Sequence, residues 1–111
     1  MIKVKIYKNN DIIKGFEITG HANYAEYGSD IVCSAVTILA VNTIDTFTDI
    51  LMMEKNIEYL FDNNVGKLIL KDNTDIKNNH DSQLILKKFD LGIKSLKKHY
   101  GDFIRVDYME V

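Results

Sequence analysis

The sequence predicts an α+β fold in a single domain, with two helices packed on a largely antiparallel sheet. Three observations predict this fold: short runs that alternate apolar and polar residues, longer segments with an apolar residue every three or four positions, and the order strand, strand, helix, strand, strand, helix, strand. With 111 residues, of which 46% are hydrophobic, the chain can bury one core. We therefore expect residues 1–111 to form one domain.

The first two strands are predicted as a hairpin. Residues 2–6 alternate three apolar side chains with lysines, and the polar residues 9–11 follow as a turn. After this turn, Phe16 and Ile18 lie on one face of a second alternating run. The two runs are expected to pair, and the second run is expected to end near Gly20.

The first helix is predicted over Ser34–Met53, with its start between Asp30 and Ser34. Apolar residues recur there at the helical period, at Val36, Ala40, Ile44, Phe47 and Leu51. Asp30 is the expected N-cap, which would make Cys33 the third helical residue, although Ser34 competes for this role. The apolar run 31–41 is about half as long as a bilayer-crossing helix requires, so we expect a core helix.

A second hairpin, a loop, a helix and a last strand are predicted next. The hairpin strands are 57–61 and 67–70, joined by a reversal rich in asparagine, and the polar segment 71–79 is the loop. The second helix follows, with helical spacing at Ile85, Phe89, Ile93, Leu96 and Tyr100. Gly101 should stop this helix, and a strand over 103–108 should complete the sheet.

Composition excludes several classes of function. A net charge of −2 gives no general attraction for phosphate, so we expect no direct binding of nucleic acid. The single cysteine cannot form an intramolecular disulfide or a cysteine-only zinc site. The first residues alternate and do not form a signal peptide, which predicts a cytoplasmic protein without a membrane segment. We expect neither a metal ion nor a cofactor.

The segment from Gly20 to Val36 carries the candidate chemistry. It contains the only cysteine, Cys33, and one of three histidines, His21. A helix N-terminus stabilises an anion by only roughly 0.3–1 kcal/mol, so a reactive thiolate needs a cation as well. His21 can supply one as an imidazolium. From spacing alone, a cysteine in this position is more often a small core residue than a nucleophile.

The residues of this segment resemble a known signature. Gly20-His21-Ala22, Tyr24-Ala25-Glu26-Tyr27-Gly28 and Asp30-Ile31-Val32-Cys33-Ser34-Ala35-Val36 are similar to the motif of the ribosomal-processing cysteine proteases, the Prp family. The whole chain also fits this family in length and element order. Thr37 departs from the serine that many relatives carry, without touching the Cys–His pair.

The resemblance implies a cytoplasmic, homodimeric endopeptidase that removes the N-terminal extension of large-subunit ribosomal protein twenty-seven during ribosome assembly. Cys33 would be the nucleophile and His21 the general base, with Asp30 orienting the histidine or capping the helix. Backbone N–H groups near Cys33 and Ser34 would hold the oxyanion. A mobile substrate loop would be formed by Gly20, Tyr24, Tyr27 and Gly28.

Two other functions remain open at this stage. The first is a noncatalytic assembly factor that binds the extension of a ribosomal protein without cutting it. The second is an RNA-contacting module that uses the lysines of the second helix, namely Lys87, Lys88, Lys94, Lys97 and Lys98. Lysines on a helix usually form a solvated face, and the net negative charge weakens the second function further.

Overall fold

The computed structural model describes residues 1–20, 27–62, 65–72 and 79–111, and of residues 27–30 it describes the backbone only. The predicted order of strands and helices is confirmed. The elements are β1 (Ile2–Asn9), β2 (Ile12–Thr19), α1 (Tyr27–Asp45), β3 (Ile57–Phe61), β4 (Val65–Leu70), α2 (His80–His99) and β5 (Ile104–Glu110).

The five strands form one mixed sheet in the order β3-β4-β2-β1-β5. Three of its four pairings are antiparallel, as predicted, and β1 pairs with β5 in parallel, with Ile2 opposite Ile104. The β3–β4 reversal is closed by Asp62, whose backbone N–H donates to Val65 O at 3.0 Å and whose Oδ1 accepts from Val65 N at 2.9 Å.

The core lies between one face of the sheet and the two helices. Alternation along β1 places Ile2, Val4 and Ile6 on this face, each at most 1% exposed, while the lysines between them face solvent. Phe16 of β2 stacks on Phe89 of α2 with ring centroids 4.0 Å apart. Burial of the apolar side chains is the main stabilising contribution to such a fold.

The first hairpin contains an irregularity at Gly15. Tyr7 pairs with Gly15 but Lys8 pairs with Ile13, so Lys14 is an extra residue in β2. A Cβ at position 15 would lie 2.2 Å from the carbonyl oxygen of Leu68 on β4. The close approach of β2 and β4 at this point therefore requires glycine.

The first helix starts earlier than its apolar period predicts, because α1 begins at Tyr27 and not between Asp30 and Ser34. The α-helix ends at Asp45 and continues as a π-helical turn over Thr46–Ile50. Met52 then adopts a positive φ of 55°, which ends the helical segment close to the predicted limit. The early start leaves seven residues, 20–26, between β2 and α1, not the ten or so that we expected.

The second helix has the predicted polarity at both ends. The side chain of Asn79 caps it by accepting from the N–H groups of Asp81 and Ser82, and Asp81 lies in the first turn. The last turn is basic, with Lys97, Lys98 and His99. A 3₁₀ turn over Gly101–Phe103 follows, so β5 starts at Ile104 and extends beyond the predicted end.

The helical stretch Ile31–Ile50 is long and apolar enough to cross a membrane by length and composition, with a hydropathy of 1.6. The same stretch contributes Val32, Val36, Ala40 and Phe47 to the core, each at most 1% exposed. A core helix of a globular domain meets the same criteria of length and composition. Its packing against β4 and α2 is the structure expected for such a core helix.

Candidate active site

Gly20 ends β2 and turns the chain out of the sheet. Its φ is +74°, a left-handed conformation in which a β-carbon is strained. A Cβ at this position would also lie 2.5 Å from the carbonyl oxygen of Met1. Position 20 therefore requires glycine, and residue 21 leaves from this fixed point. The side chain of His21, the predicted base, and that of Tyr24 lie outside the described residues.

Cys33 is the seventh residue of α1 and lies in its second turn. The prediction that it is the third helical residue, with Asp30 as N-cap, is wrong, because Asp30 is itself the fourth residue of the helix. In the second turn, a backbone N–H normally donates to the carbonyl four residues earlier. The backbone N–H of Cys33 is therefore placed within the helical hydrogen-bond ladder and not among the unpaired N–H groups of the helix start. Tyr27 and Gly28, which we assigned to a loop, belong to the first turn of α1.

The side chain of Cys33 is partly buried and packs against the hydrophobic core. On the helix it is preceded by the fully buried Val32 and followed by the exposed Ser34. The thiol thus lies at the margin of the core, where an approaching substrate can meet a side chain that packing holds in place.

The two flanks of α1 differ in what they face. The flank with Leu39 lies against α2, because a Cβ at Gly92 of α2 would be 3.0 Å from a Leu39 methyl group. At about 100° per residue, Cys33 and Ala35 point about 160° apart. Ala35 lines the groove between the helices, so Cys33 lies on the opposite flank, which faces β4 and β3.

Strand pairing brings the functional segments to one end of the sheet. Thr19, next to Gly20, pairs with Val65, and both Ile18 and Phe61 pair with Gly66. The end of β3 therefore lies at the same end of the sheet as the exit of β2. Only seven residues, 20–26, separate β2 from α1, so the start of the helix that carries Cys33 lies within chain reach of this end.

Aromatic residues of β3 are a part of this region that sequence analysis missed. Tyr59 and Phe61 are 43% and 37% exposed, on the face of the sheet that elsewhere forms the core. The Tyr59 hydroxyl donates to Glu54 Oε1 at 2.8 Å. This hydrogen bond and the Glu54 charge raise the pKa of Tyr59, with a smaller contribution from Asp49. The signal in the sequence was a pair of aromatic residues, two positions apart in the predicted strand 57–61 and therefore on one face of it.

A groove lies between the two helices, and Cys33 is not among the residues that line it. It has a volume of about 580 Å³ and mainly apolar walls that include Ile38, Leu39, Leu96 and Tyr100. Ile38 is 67% exposed. Within the described part of the chain, no three His, Cys, Asp or Glu side chains are grouped so that they could hold a metal ion.

A single, partly buried cysteine in the second turn of a helix at the margin of the core is an arrangement found in cysteine proteases. The family model described as cysteine protease Prp matches residues 1–105. The chain therefore belongs to the cysteine protease Prp family, and it is a cysteine protease.

Known relatives cover nearly the whole chain. The ribosomal processing cysteine protease Prp of Bacillus subtilis is 27% identical over 107 residues, which are 96% of each chain. The Staphylococcus aureus protein of the same name is 28% identical over 109 residues, covering 97% of this chain and 99% of the relative.

Solved structures agree with the fold. A crystal structure from Streptococcus mutans has a TM-score of 0.83 and 30% identity, covering 100% of this chain and 96% of the other. The S. aureus protease Prp with a covalently linked product peptide has a TM-score of 0.77 and 25% identity, covering 97% and 99%. In that relative, a peptide product is covalently attached to the protease.

Proposed function

We propose that this protein is an endopeptidase that removes the N-terminal extension of a large-subunit ribosomal protein, number twenty-seven, during ribosome assembly in the cytoplasm. The observation that carries the proposal is the position of Cys33, the only cysteine, at the margin of the core and at the sheet end from which the His21 segment leaves. Membership of the Prp family and the ribosomal processing activity named for its relatives support the substrate.

In the proposed mechanism, the Cys33 thiolate attacks the carbonyl carbon of the scissile peptide bond. His21, protonated in the resting Cys–His pair, gives its proton to the leaving amine, and the C–N bond breaks. An acyl-enzyme remains, with a thioester between Cys33 and the N-terminal fragment. His21 then takes a proton from water, the water oxygen attacks the thioester, and the Cys33 thiolate is regenerated.

The oxyanion donors that we propose are backbone N–H groups near Cys33 and Ser34. Since α1 begins at Tyr27, N–H groups at these positions are part of the helical hydrogen-bond ladder. Their use in catalysis therefore requires the first turns of α1 to open when the substrate binds. Asp30 would then orient His21, and Gly20, Tyr24, Tyr27 and Gly28 would form the substrate-contacting segment.

We further propose that the protein acts as a homodimer that uses the groove between α1 and α2. The groove is apolar, and exposed Ile38 and Leu91 lie along it. An apolar surface of this kind is typical of the buried part of a homodimer interface. Because Cys33 lies on the opposite flank of α1, a second subunit in the groove would leave the catalytic flank open to substrate.

The test is incubation of the purified protein with the ribosomal protein of its own host, followed by mass measurement of the fragments. We expect one cut near the N-terminus, with a water added across a single bond. Cys33→Ala should abolish the cut, while Leu84→Ala, at an exposed position of α2, should retain it. Fragments of the same masses from Cys33→Ala would disprove the assignment of the nucleophile. Peptide binding without any fragments would indicate a noncatalytic assembly factor.

The role of His21 is tested by the pH profile of the same reaction. His21→Ala should lower kcat/KM by about 10²–10⁴-fold, the usual contribution of a general acid–base group. The parent profile between about pH 5 and 8 should contain an inflection that His21→Ala lacks. Cleavage by His21→Ala at the parent rate across this range would exclude His21 as the base.

A further inference from the structure

The helix-side face of β3 is an exposed aromatic surface, which we name the β3 shelf and define as Tyr59 and Phe61. Tyr59 pairs with Leu68 and Phe61 pairs with Gly66, and directly opposed residues share a face of the sheet. Leu68 is fully buried in the core, so the shelf continues the core face to the edge of the sheet.

The position of the Phe61 ring is fixed by its neighbours. A Cβ at Gly66 would lie 3.0 Å from two atoms of the ring and 3.7 Å from the Cβ of the buried Ile18. The ring therefore covers Gly66 on the core side of the sheet. With 37% of Phe61 and 43% of Tyr59 exposed, the shelf is an aromatic floor that neither helix covers completely.

The shelf lies on the catalytic side of α1. This helix packs over β4 and against α2, and β3 is the next strand outward. The flank of α1 that faces outward carries Cys33, and the Phe61 end of β3 lies at the sheet end where β2 exits. A chain lying along the shelf would thus run on the same side of α1 as the thiol. The groove between α1 and α2 lies on the other flank and does not offer this path.

The outer edge of β3 favours the binding of an extended peptide. Among the described strands, β3 pairs with β4 only, so its outer edge presents main-chain groups to which an extended peptide can bind. Side chains that alternate along such a peptide would meet Tyr59 and Phe61, which themselves lie two residues apart on one face.

The surroundings of the shelf are acidic. Glu54 accepts the Tyr59 hydroxyl at 2.8 Å, and the charges of Glu54 and Asp49 both act on Tyr59. From Asp45 to Asp62 the chain has five acidic residues and one lysine. Proteins that pack against ribosomal RNA are basic, because they neutralise phosphate charges. The acidic rim is therefore complementary in charge to a segment of such a protein.

We propose that the β3 shelf is the substrate-recognition surface, which holds an extended peptide with an apolar side chain on Tyr59 and Phe61 and a basic side chain near Glu54 and Asp49. This inference rests on the proposed protease function and adds to it the surface and the peptide chemistry. It predicts that Tyr59 and Phe61 determine specificity without taking part in bond cleavage.

The first experiment measures kcat/KM for a peptide that spans the cleavage site of the host ribosomal protein. Tyr59→Ser and Phe61→Ser should each lower kcat/KM at least about tenfold, as loss of a central aromatic anchor does. Leu60→Ser is the matched control, because Leu60 is 49% exposed on the opposite face of the same strand, and it should stay within about twofold. The rate at which iodoacetamide alkylates Cys33 should be the same in all four proteins, which shows that the site remains folded.

The second experiment measures binding of the same peptide to Cys33→Ala by fluorescence anisotropy. Adding Tyr59→Ser or Phe61→Ser should raise the Kd at least about tenfold, whereas adding Leu60→Ser should leave the Kd unchanged. Adding Glu54→Gln should raise the Kd by a smaller factor than the shelf substitutions do. It should also make peptide binding less sensitive to salt between about 50 and about 300 mM. A peptide with its basic residues replaced by glutamine should bind equally well with and without the Glu54→Gln substitution.

The outcomes separate the two proposals. If the parent cuts the peptide and the shelf variants behave like Leu60→Ser in both experiments, the shelf proposal is wrong and the protease function stands. If the peptide binds, is never cut, and is released by the shelf substitutions, the protease function fails for this substrate and the shelf is supported. Equal binding by all variants overturns the shelf whether or not cleavage occurs.

Discussion

At the scale of single residues, Gly15 is the most constrained backbone position in the sheet. The space where its β-carbon would lie is occupied by the Leu68 carbonyl at 2.2 Å and by Ile69 atoms at 2.7 and 2.8 Å. Gly15→Ala should therefore force β2 and β4 apart and cost about 2 kcal/mol or more of unfolding free energy. Urea denaturation followed by circular dichroism would measure the loss.

Gly101→Ala is the matched control for this measurement. A β-carbon at position 101 would meet no atom within 4 Å, so Gly101→Ala should change the free energy of unfolding by no more than about 0.5 kcal/mol. Equal stability of Gly15→Ala and Gly101→Ala would show that the two strands adjust easily and that the extra residue in β2 has no steric origin.

The protein family could be predicted from the residues of one short segment, whereas the local geometry of that segment could not. The Gly-His-Ala and Asp-Ile-Val-Cys-Ser-Ala patterns led to Cys33 and to the family that the comparisons confirm. The start of the helix was placed too late, because the apolar period becomes regular only at Val36 while helical hydrogen bonding begins at Tyr27. Periodicity reports which residues are buried and does not mark where helical hydrogen bonding begins.

At the scale of elements, a hydrogen bond connects β5 to α2. The Tyr108 hydroxyl donates to Asp90 Oδ1 at 2.7 Å, and Lys94 lies 3.3 Å from the other carboxylate oxygen. Burial, followed by this hydrogen bond and the Asp90 charge, raises the pKa of Tyr108. The folded state therefore favours the protonated phenol, which is the form that bonds to Asp90.

This pKa shift predicts a loss of stability at high pH. The contribution of Tyr108 to the free energy of unfolding is fully present below the unfolded-state pKa of about 10. It decreases as pH rises above this value, because the unfolded state then loses the phenol proton while the folded state keeps it. Tyr108→Phe should lower the free energy of unfolding by about 1–2 kcal/mol at neutral pH. Above about pH 10, the free energy of unfolding of this variant should fall less steeply with pH than that of the parent. Urea midpoints between about pH 7 and 11.5 would measure both effects.

Tyr59→Phe serves as the control, because its hydroxyl bonds to Glu54 at the surface, where solvent screens the charge. Its pH profile should remain closer to that of the parent. If Tyr108→Phe and the parent show identical profiles above about pH 10, the bond to Asp90 does not contribute to the attachment of β5.

The existence and order of elements could be predicted because the patterns are strong, but irregular backbone could not. Alternation at Ile2, Val4 and Ile6 and helical spacing along α2 follow directly from burial on one face. The π-helical turn over Thr46–Ile50 has no signature of this kind, since it retains a helix-like pattern while changing the hydrogen bonds. The turn ends at Ile50, and Met52 then adopts a left-handed backbone that its residue type does not suggest.

At the scale of the whole molecule, the proposed dimer can be tested through the groove between the helices. Ile38 is 67% exposed on the wall of this groove, so Ile38→Asp would place a charge in the proposed interface. We expect sedimentation analysis to show a dimer for the parent and a monomer for Ile38→Asp. Leu60→Asp, on the open face of the sheet, should leave the dimer intact. A parent that remains monomeric at high micromolar concentration would contradict the proposal.

The order of the strands in the sheet was beyond sequence analysis. Two hairpins were predictable because their strands are neighbours in sequence. The pairing of β2 with β4, and the parallel pairing of β1 with β5 across about a hundred residues, depend on which edges the helices leave open. The β3 shelf was missed for the same reason, since only the outer position of β3 explains why Tyr59 and Phe61 are exposed.

The separation between the groove between the helices and the flank of α1 that carries Cys33, the proposed nucleophile, matters for inhibitor discovery. The groove has the volume and apolar walls that drug-sized molecules prefer, so a screen for tight binders would select it first. A compound bound there would leave the thiol accessible and would act, if at all, on subunit association. Hits that compete with a thiol-reactive probe at Cys33 would instead identify the shallower surface on the other side of the helix.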